Sequence, residues 1–386
     1  MISRKAQQTL VHLASQFRAV AVTGPRQSGK TTLVRAVFPD KEYVNLENPD
    51  TRSFASEDPR GFLGMYPDGA IIDEIQRVPE LFSYLQQILD DSPVNGKFIL
   101  TGSNNFLIQE GISQSLAGRA GYLFLLPLGL NEIPETGEST NQLMFKGGYP
   151  ALYQNQSDVG LFYSNYIRTY VERDVRLIKN ISDLNAFERL IRLCAGRTSQ
   201  LLNMSSLAVE VGVDVKTIDA WLSVLEAGFV VFRLQPYHKN FNKRVIKSSK
   251  IYFYDTGLAC SLLGIQSHEQ LDLHPLRGSL FENLCVTEFL KHRFNQGLRA
   301  NLYFWRDNSG NEIDLILEKA NDSVPVEIKA GKTITSSYFK GVNYWKKLTK
   351  NDTGFVIYDG DSVQKRSSGI TVLPVRQATD ADRLSD

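Results

Sequence analysis

The chain has 386 residues, of which 42% are hydrophobic and 22% charged, and its formal net charge is +1. A charge this close to zero excludes a global field that would draw the protein onto nucleic acid or membrane, so any such contact must come from a local patch. The three cysteines are widely spaced and no apolar run reaches the length of a membrane span, which argues against a disulfide framework, a zinc site and a transmembrane helix. Two or three domains in a cytoplasmic protein without membrane contact are expected.

Short apolar runs alternate with helical patterns in the first part of the chain. The predicted strands are Arg18–Thr23, Glu42–Leu46, Ala70–Glu74, Lys97–Thr101 and Gly121–Leu126. Predicted helices lie between them, at Thr31–Val37 and Pro79–Leu89. This alternation predicts an α/β fold in which a parallel sheet is connected by crossover helices.

A phosphate-binding loop is predicted between the first strand and the first of these helices. The segment GPRQSGKT at 24–31 matches the pattern Gly-x4-Gly-Lys-Ser/Thr in full. Its glycines allow a tight turn whose backbone N–H groups point at phosphate oxygens, and the helix N-terminus adds positive potential. Lys30 is predicted to reach the β- and γ-phosphates of ATP, and the Thr31 hydroxyl to bind Mg²⁺. The predicted nucleotide-binding residues are Gly24, Pro25, Arg26, Gln27, Ser28, Gly29, Lys30, Thr31 and Thr32.

Acidic and polar residues end the next strands of the predicted sheet. Asp73 is predicted to orient Mg²⁺ or its waters, and Glu74 to act as the general base on the attacking water. After the following strand, Thr101, Ser103 and Asn104 are three candidates for sensing the γ-phosphate, and Ser103 is favoured.

Arginines later in the chain are candidates for a trans-acting arginine finger. Arg119 follows a small predicted helix, and such a role would require a homo-oligomer. The alternative is an ordinary surface arginine. Arg173 and Arg176 are weaker candidates, because Glu172 and Asp174 offer them ion pairs.

A region rich in Gly, Pro, Glu and Thr at 128–142 predicts a boundary, after which Phe162–Arg197 is mostly helical. Residues 205–222 predict a helix-turn-helix with its turn at Gly212, and Phe229–Leu234 with Lys250–Tyr254 predict a β-wing. In a DNA-binding interpretation Lys216, Thr217 and Asp219 face DNA, and a basic segment grips phosphates. That segment contains Tyr237, Lys239, Phe241, Lys243, Arg244, Lys247 and Lys250. Asp214 and Asp219 on the second helix favour a purely structural role instead.

In the last part of the chain, a helix is predicted at Ser279–Phe294, followed by strands at Leu302–Arg306, Glu312–Glu318 and Val324–Lys329. A second helix is predicted at Ser336–Leu348 and a further strand at Gly354–Tyr358. The tail from Gln377 is expected to be frayed. Side chains two apart on a strand share a face, so Glu327 and Lys329 point the same way and a hairpin brings Asp314 beside them. With Glu282 on the preceding helix, these side chains suit Mg²⁺-dependent phosphodiester hydrolysis, in which Asp314 and Glu327 hold the metal and Lys329 positions water. The alternative is an exposed strand with a Glu–Lys ion pair.

Together these segments resemble the prokaryotic AAA+-type ATP-binding proteins whose C-terminal half is an uncharacterised domain related to PD-(D/E)xK nucleases. Beside the phosphate loop, the matching segments are 71–76, 100–103, 116–119, 172–174, 254–257, 278–283, 304–306, 312–314 and 327–329. The resemblance implies ATP binding and hydrolysis. The region after Arg119 departs from the compact four-helix lid of AAA+ proteins, so the resemblance does not extend to a ring-type hexamer.

The predicted architecture is therefore a P-loop NTPase domain at 1–130, a helical and winged-helix region at 131–245, and a PD-(D/E)xK nuclease-like domain at 246–386. The predicted function is Mg²⁺-dependent ATP hydrolysis coupled to DNA binding or cleavage. The alternative is an ATP-dependent switch protein whose nuclease-like fold is inactive.

Overall fold

The amino-terminal region folds around a five-stranded parallel sheet in this computed structural model, which describes residues 2–103, 105–134, 137–155, 157–171, 183–238, 246–319 and 322–384. Its strands are β1 (Ala19–Thr23), β2 (Glu42–Asn45), β3 (Ala70–Asp73), β4 (Phe98–Gly102) and β5 (Ala120–Phe124). They lie in the order β2-β3-β4-β1-β5, and every neighbouring pair is parallel. The predicted parallel sheet is confirmed, with strand ends shifted by a residue or two.

Helices cover both faces of this sheet. They are α1 (Ala6–Gln16), α2 (Lys30–Val37), α3 (Pro49–Glu57), α4 (Pro59–Gly64), α5 (Leu81–Asp91) and α6 (Asn105–Gly111). Successive strand residues point to opposite faces, so Val20 and Val22 pack with Leu33 of α2, whereas Ala19 and Ala21 belong to the apolar cluster on the other face. Burial on both faces explains why β1, β3 and β4 are largely apolar runs. The carboxyl ends of β3, β4 and β1 consequently lie side by side.

Seven further helices lie in the middle of the described chain, before the strands of the second sheet or between them. They are α7 (Thr140–Lys146), α8 (Pro150–Gln154), α9 (Val159–Tyr166), α10 (Leu184–Ala195), α11 (Met204–Val211), α12 (Val215–Ala227) and α13 (Thr256–Leu262). Gly212 ends α11 with φ +85°, and the Asp214 side chain caps α12 by accepting a hydrogen bond from the Thr217 N–H. The two predicted helices and the glycine turn between them are therefore present.

A mixed eight-stranded sheet forms the rest of the structure. Its strands are β6 (Val231–Pro236), β7 (Lys250–Phe253), β8 (Leu302–Arg306), β9 (Glu312–Lys319), β10 (Asp322–Lys329), β11 (Gly354–Tyr358), β12 (Gln364–Lys365) and β13 (Ile370–Pro374). Their order is β12-β13-β11-β10-β9-β8-β6-β7. Two long helices pack on this sheet, α14 (Arg277–Asn295) against β10 and β7, and α15 (Lys340–Thr349) against β9, β10 and β11.

The predicted β-wing differs from the observed arrangement. β6 and β7 do form an antiparallel pair, but β6 also pairs in parallel with β8. The hairpin therefore extends the second sheet at its edge and is not a separate wing. One apolar cluster runs from Leu126 to Ala381 and packs the middle helices against this sheet.

The prediction of a frayed tail from Gln377 is wrong for the described residues. The chain continues into α16 (Asp380–Leu384), and Arg293 of α14 donates two hydrogen bonds to Asp382, which is 7% exposed. The buried ion pair anchors a segment whose polar sequence gave no sign of a partner. Within the described ranges, every helix is too short or too polar to cross a membrane.

Candidate functional site

The loop between β1 and α2 has the backbone shape that its glycines predict. A side chain at Gly24 would bring its Cβ within 2.1 Å of the Leu125 carbonyl oxygen, so only glycine fits there. Gln27 and Gly29 have φ values of +60° and +92°, and these reversals curl the loop. Ser28 of the loop is fully buried, whereas Gln27 is exposed. This curled backbone directly precedes the first turn of α2.

Lys30 lies at the centre of this loop and is 6% exposed. Its Nζ donates to the carbonyl oxygens of Gly24 and Pro25, at 3.0 and 2.8 Å. The ammonium is therefore held at the loop by its own backbone, on the first turn of a helix whose N-terminus also favours negative charge.

Three hydroxyl groups donate hydrogen bonds to the carboxylate of Asp73, which lies at the end of β3. Its Oδ2 accepts hydrogen bonds from the Thr31 hydroxyl at 2.9 Å and the Tyr43 hydroxyl at 2.7 Å, and its Oδ1 accepts one from Thr101. Burial and the neighbouring Asp73 charge raise the pKa of Tyr43, which stays a neutral hydrogen-bond donor. Thr31 and Asp73, the residues predicted to bind Mg²⁺, are thus in direct contact. Tyr43 was not identified from the sequence, because its relevance depends on β2 lying beside β3.

Glu74 follows Asp73 in a left-handed backbone conformation, with φ +57°. Its Oε2 accepts hydrogen bonds from Gln76 Nε2 and, at 3.2 Å, from the Ser103 hydroxyl. Gly102 leaves room for this arrangement, since a Cβ there would lie 2.0 Å from Gln76 Oε1. A strained backbone and two fixed donors orient this carboxylate. Of the three candidate phosphate sensors, Thr101 contacts Asp73, Ser103 contacts Glu74, and Asn104 lies outside the described residues.

Arg119 lies at the opposite edge of the first sheet from the phosphate loop. Its carbonyl oxygen accepts a hydrogen bond from the N–H of Ala19, the first residue of β1, whereas the loop follows the last residue of that strand. The strand separates them by roughly 13 Å. The guanidinium donates to both carboxylate oxygens of Asp90, at 2.5 and 2.9 Å. An action on phosphate would thus have to be on a neighbouring chain, and this role stays a prediction. Arg173 and Arg176 lie outside the described residues.

A second group of charged side chains assembles on the mixed sheet. Lys329 Nζ lies 2.6 Å from Glu327 Oε1 and 3.3 Å from Asp314 Oδ2, and the N–H of Ile328 donates to the same Asp314 oxygen at 2.8 Å. Burial and the neighbouring Asp314 raise the pKa of Glu327 to about 8. Burial lowers the pKa of Lys329, but the charges of Asp314 and Glu327 outweigh it and raise that pKa overall. The predicted trio is therefore in contact.

Glu282 lies beside this group, and its bonding partners are side chains that the sequence did not identify as such. Lys250 Nζ lies 3.0 Å from Glu282 Oε1 and 2.6 Å from Glu312 Oε1, and the Tyr252 hydroxyl donates to Glu282 at 2.6 Å. Burial raises the pKa of Glu282 to about 7. Lys250 was assigned to an exposed basic segment, and this is corrected: it is 3% exposed, because β7 lies under α14.

The described residues at these two sites do not form a preformed metal-binding group. In the part of the chain that the structure describes, no group of three or more His, Cys, Asp or Glu side chains is arranged to hold a metal ion. The assignments of Thr31 and Asp73, and of Asp314 and Glu327, as metal ligands stay predictions. Each pair does supply the hard oxygen atoms that Mg²⁺ prefers.

Two of the three residues of the helix-turn-helix segment that are predicted to face DNA already have partners within the chain. Thr217 bonds to Asp214, and Asp219 lies 2.9 Å from Arg233 of β6. Lys216 is exposed. In the basic segment, Lys239, Phe241, Lys243 and Arg244 lie outside the described residues. DNA binding by this region stays a prediction.

Comparisons with known proteins identify an AAA domain in the first part of the chain. Residues 16–134 match the family described as AAA domain, residues 137–269 match a domain of unknown function (DUF8612), and residues 277–378 match a domain of unknown function (DUF4143). Uncharacterized protein Rv2008c of Mycobacterium tuberculosis is 32% identical over 365 residues, which are 93% of this chain and 80% of that protein. Uncharacterized protein Mb2031c of Mycobacterium bovis matches to the same extent.

Solved structures show weaker similarity. The Walker-type ATPase PABY2304 of Pyrococcus abyssi aligns with a TM-score of 0.44 and 15% identity, over 68% of this chain and 96% of that one. AMPPCP-bound DnaA of Aquifex aeolicus aligns with a TM-score of 0.28 and 15% identity, over 57% of this chain and 85% of that one.

Proposed function

The chain belongs to the family of the mycobacterial protein Rv2008c and carries an AAA-type, ATPase-like P-loop domain, and on this premise we propose that it binds and hydrolyses ATP with Mg²⁺. The observation that carries the proposal is the 2.9 Å hydrogen bond between the Thr31 hydroxyl and Asp73, beside the buried ammonium of Lys30. One point of the molecule thus holds the two oxygen donors suited to Mg²⁺ and the cation suited to phosphate.

Each side chain has a defined task in this proposal. The backbone N–H groups of the loop, which Pro25 alone lacks between Gly24 and Thr32, hold the phosphates, and Lys30 pairs with the β- and γ-phosphate oxygens. Thr31 and Asp73 hold Mg²⁺, which when bound neutralises charge on the phosphates. Glu74 accepts the proton of the attacking water, and the Ser103 hydroxyl fixes the orientation of that carboxylate.

Turnover and binding by variants test this assignment. We expect Lys30→Ala to abolish ATP hydrolysis and weaken ATP binding. Glu74→Gln should retain ATP binding and lose about 100-fold or more in turnover, because it removes only the proton acceptor. Lys216→Ala removes an exposed lysine from α12 and serves as the control. Unchanged turnover in Lys30→Ala would refute the site.

A second candidate activity is Mg²⁺-dependent DNA cleavage by a nuclease-like domain at 246–386, following an ATPase domain at 1–130 and a helical, winged-helix region at 131–245. The contact of Asp314, Glu327 and Lys329 supports it, together with the buried Oε2 of Glu327, which has no hydrogen-bond partner among the residues that the structure describes. In this proposal Asp314 and Glu327 bind the metal, Lys329 positions water, and Glu282 completes the acidic group.

The alternative is a switch protein, in which ATP binding changes an interaction surface and the second site is inactive. The buried Lys250 supports it, since that ammonium already forms ion pairs with both Glu282 and Glu312. Plasmid and linear DNA incubated with Mg²⁺ or Mn²⁺, with and without ATP, distinguish the two. Cleavage by wild type that is lost in Asp314→Ala supports the nuclease. Equal survival of both substrates with wild type and Asp314→Ala favours the switch.

A further inference from the structure

Arg4 contacts the phosphate loop through the carbonyl oxygen of Ser28. It precedes α1, outside the segment that matches the AAA domain, and is 6% exposed. Its Nη1 donates to the Ser28 carbonyl oxygen at 2.6 Å, its Nη2 to the Leu126 carbonyl oxygen at 2.6 Å, and its Nε to Glu132 Oε1 at 3.1 Å. One buried guanidinium thus joins the loop to the chain beyond β5.

The bond to Ser28 controls the direction of the next N–H group. The Ser28–Gly29 peptide is trans, so its C=O and N–H point in opposite directions. A cation that holds the Ser28 oxygen therefore fixes the opposite direction of the Gly29 N–H, which in our proposal is the direction of the phosphates. The same cation polarises the peptide group, and this strengthens the N–H as a donor to phosphate.

Glu132 pairs with this guanidinium, and both of its carboxylate oxygens accept hydrogen bonds. Its side chain is 1% exposed. Besides Arg4, its Oε1 accepts from the N–H of Lys5 at 2.6 Å and its Oε2 from the N–H of Gly129 at 2.9 Å. Because buried charges are stable only when paired, Arg4 and Glu132 hold each other in one geometry.

The segment around Gly129 continues the connection to helix α14. The N–H of Leu130 donates to Glu288 Oε2 at 2.7 Å, and Lys291 Nζ donates to the Leu128 carbonyl oxygen at 2.9 Å. Glu288 and Lys291 lie on α14, which also carries Glu282 of the second site. Buried polar contacts therefore run without a gap from the phosphate loop to the helix that supports the carboxylate group.

We propose that Arg4 is a positioning residue for the nucleotide, and that the Arg4–Glu132 pair transmits nucleotide binding to α14. The proposal rests on nucleotide binding at the phosphate loop. By fixing the Gly29 N–H, Arg4 raises affinity for the phosphates. By the same bonds, nucleotide binding stabilises the Glu132 and Glu288 contacts of Gly129 and Leu130, and this coupling is reciprocal.

The test compares Arg4→Ala with a control that removes an equally buried arginine elsewhere. Arg293 on α14 pairs with Asp382 through two hydrogen bonds and has no contact with the phosphate loop among those described, so Arg293→Ala costs a buried ion pair without touching the nucleotide. The first measurement is the affinity for a fluorescent ADP analogue with Mg²⁺. The second is the amide hydrogen exchange of Gly129 and Leu130, with and without saturating nucleotide.

We expect nucleotide to slow exchange of these two amides in the wild type and in Arg293→Ala. Arg4→Ala should weaken affinity by about tenfold to a hundredfold, as for loss of a charged hydrogen bond, and should lose the slowing even at saturation. Arg4→Lys should recover part of the affinity, since one ammonium reaches Ser28 but not all three acceptors. If Arg4→Ala does not fold, the same two measurements on Arg4→Lys test the proposal.

Two results overturn the proposal. One is affinity of the Arg4 variant within twofold of the wild type, and the other is slowed exchange of Gly129 and Leu130 that persists in that variant. If the wild type itself binds no nucleotide, the proposed ATP site fails and this inference fails with it. Wild-type binding with an unaffected Arg4 variant refutes only the role of Arg4.

Discussion

Replacing Glu327 with glutamine tests the electrostatics of the second site. Glu327 is 8% exposed, and burial with the nearby charge of Asp314 raises its pKa from 4.5 to about 8. A carboxyl group whose pKa is raised by folding contributes stability that is fully present below its unfolded pKa and is lost as the pH rises through its folded pKa. Wild type should therefore lose stability relative to Glu327→Gln between about pH 4.5 and 8.

The size of the effect follows from the same pKa. Each pKa unit corresponds to about 1.4 kcal/mol, so the change from 4.5 to about 8 sets a ceiling of roughly 5 kcal/mol at pH 8. Relaxation of the buried carboxylate toward water reduces this, and we expect about 2–4 kcal/mol. Lys329 keeps Asp314 as a partner at 3.3 Å in the variant, so its ammonium is not left unpaired.

Urea unfolding measured from pH 5 to pH 8.5 in the presence of EDTA provides the assay. Trp305 and Trp345 are fully buried within the mixed sheet and its helix α15, so their fluorescence reports unfolding of this region. The wild-type free energy of unfolding should fall relative to that of Glu327→Gln with a slope approaching 1.4 kcal/mol per pH unit. Parallel pH dependences for the two proteins would refute the reasoning.

Three further predictions concern the first sheet and its junction with the rest of the chain. Gly24→Ala should lower the affinity for ATP at least tenfold and cost about 1–3 kcal/mol of stability, because its Cβ would meet the Leu125 oxygen at 2.1 Å. Calorimetric titration and urea unfolding measure both, and Gly278→Ala, with open space around the new methyl group, should show neither loss. Arg119→Ala should leave ATP affinity within twofold in a binding titration, since Arg119 lies at the far edge of the sheet, and a larger loss would show that it contacts a nucleotide, in its own or a neighbouring chain. Asp255→Ala should cost about 3–5 kcal/mol in urea unfolding, because this buried carboxylate accepts two backbone hydrogen bonds and one from a tyrosine hydroxyl, whereas a cost below 1 kcal/mol would show that water replaces it.

Local sequence was sufficient to predict the proposed nucleotide site because its main parts are contiguous or end neighbouring strands of one sheet. Lys30 and Thr31 belong to one motif, and Asp73 ends an apolar strand, β3, that lies in the same parallel sheet as β1 and β4 and follows the usual logic of such sheets. Tyr43 and Gln76 were missed because their contacts depend on which strand lies beside which. No short-range pattern distinguishes a tyrosine that supports Asp73 from one that merely packs.

The second site was predicted in part for a similar reason. The two-residue period of β10 places Glu327 and Lys329 on one face, and the β9–β10 hairpin brings Asp314 to them. Lys250 was assigned to the surface because its neighbours in sequence are basic and polar. Its actual position under α14 results from β6 pairing with β8, a contact between residues about 68 positions apart, as in Gln235 and Tyr303.

The sequence by itself determined the elements and chemistry that depend on near neighbours: the parallel strands, the glycine-dependent phosphate loop, the Thr31 and Asp73 donors and the alternating acidic strand. Only the tertiary structure decided how distant segments meet. It placed Arg4 beside the loop, Lys250 among carboxylates and Arg119 at the far edge of its sheet. The physical reason is that backbone propensity and side-chain period act over a few residues, whereas burial pairs whichever charges the whole fold brings together.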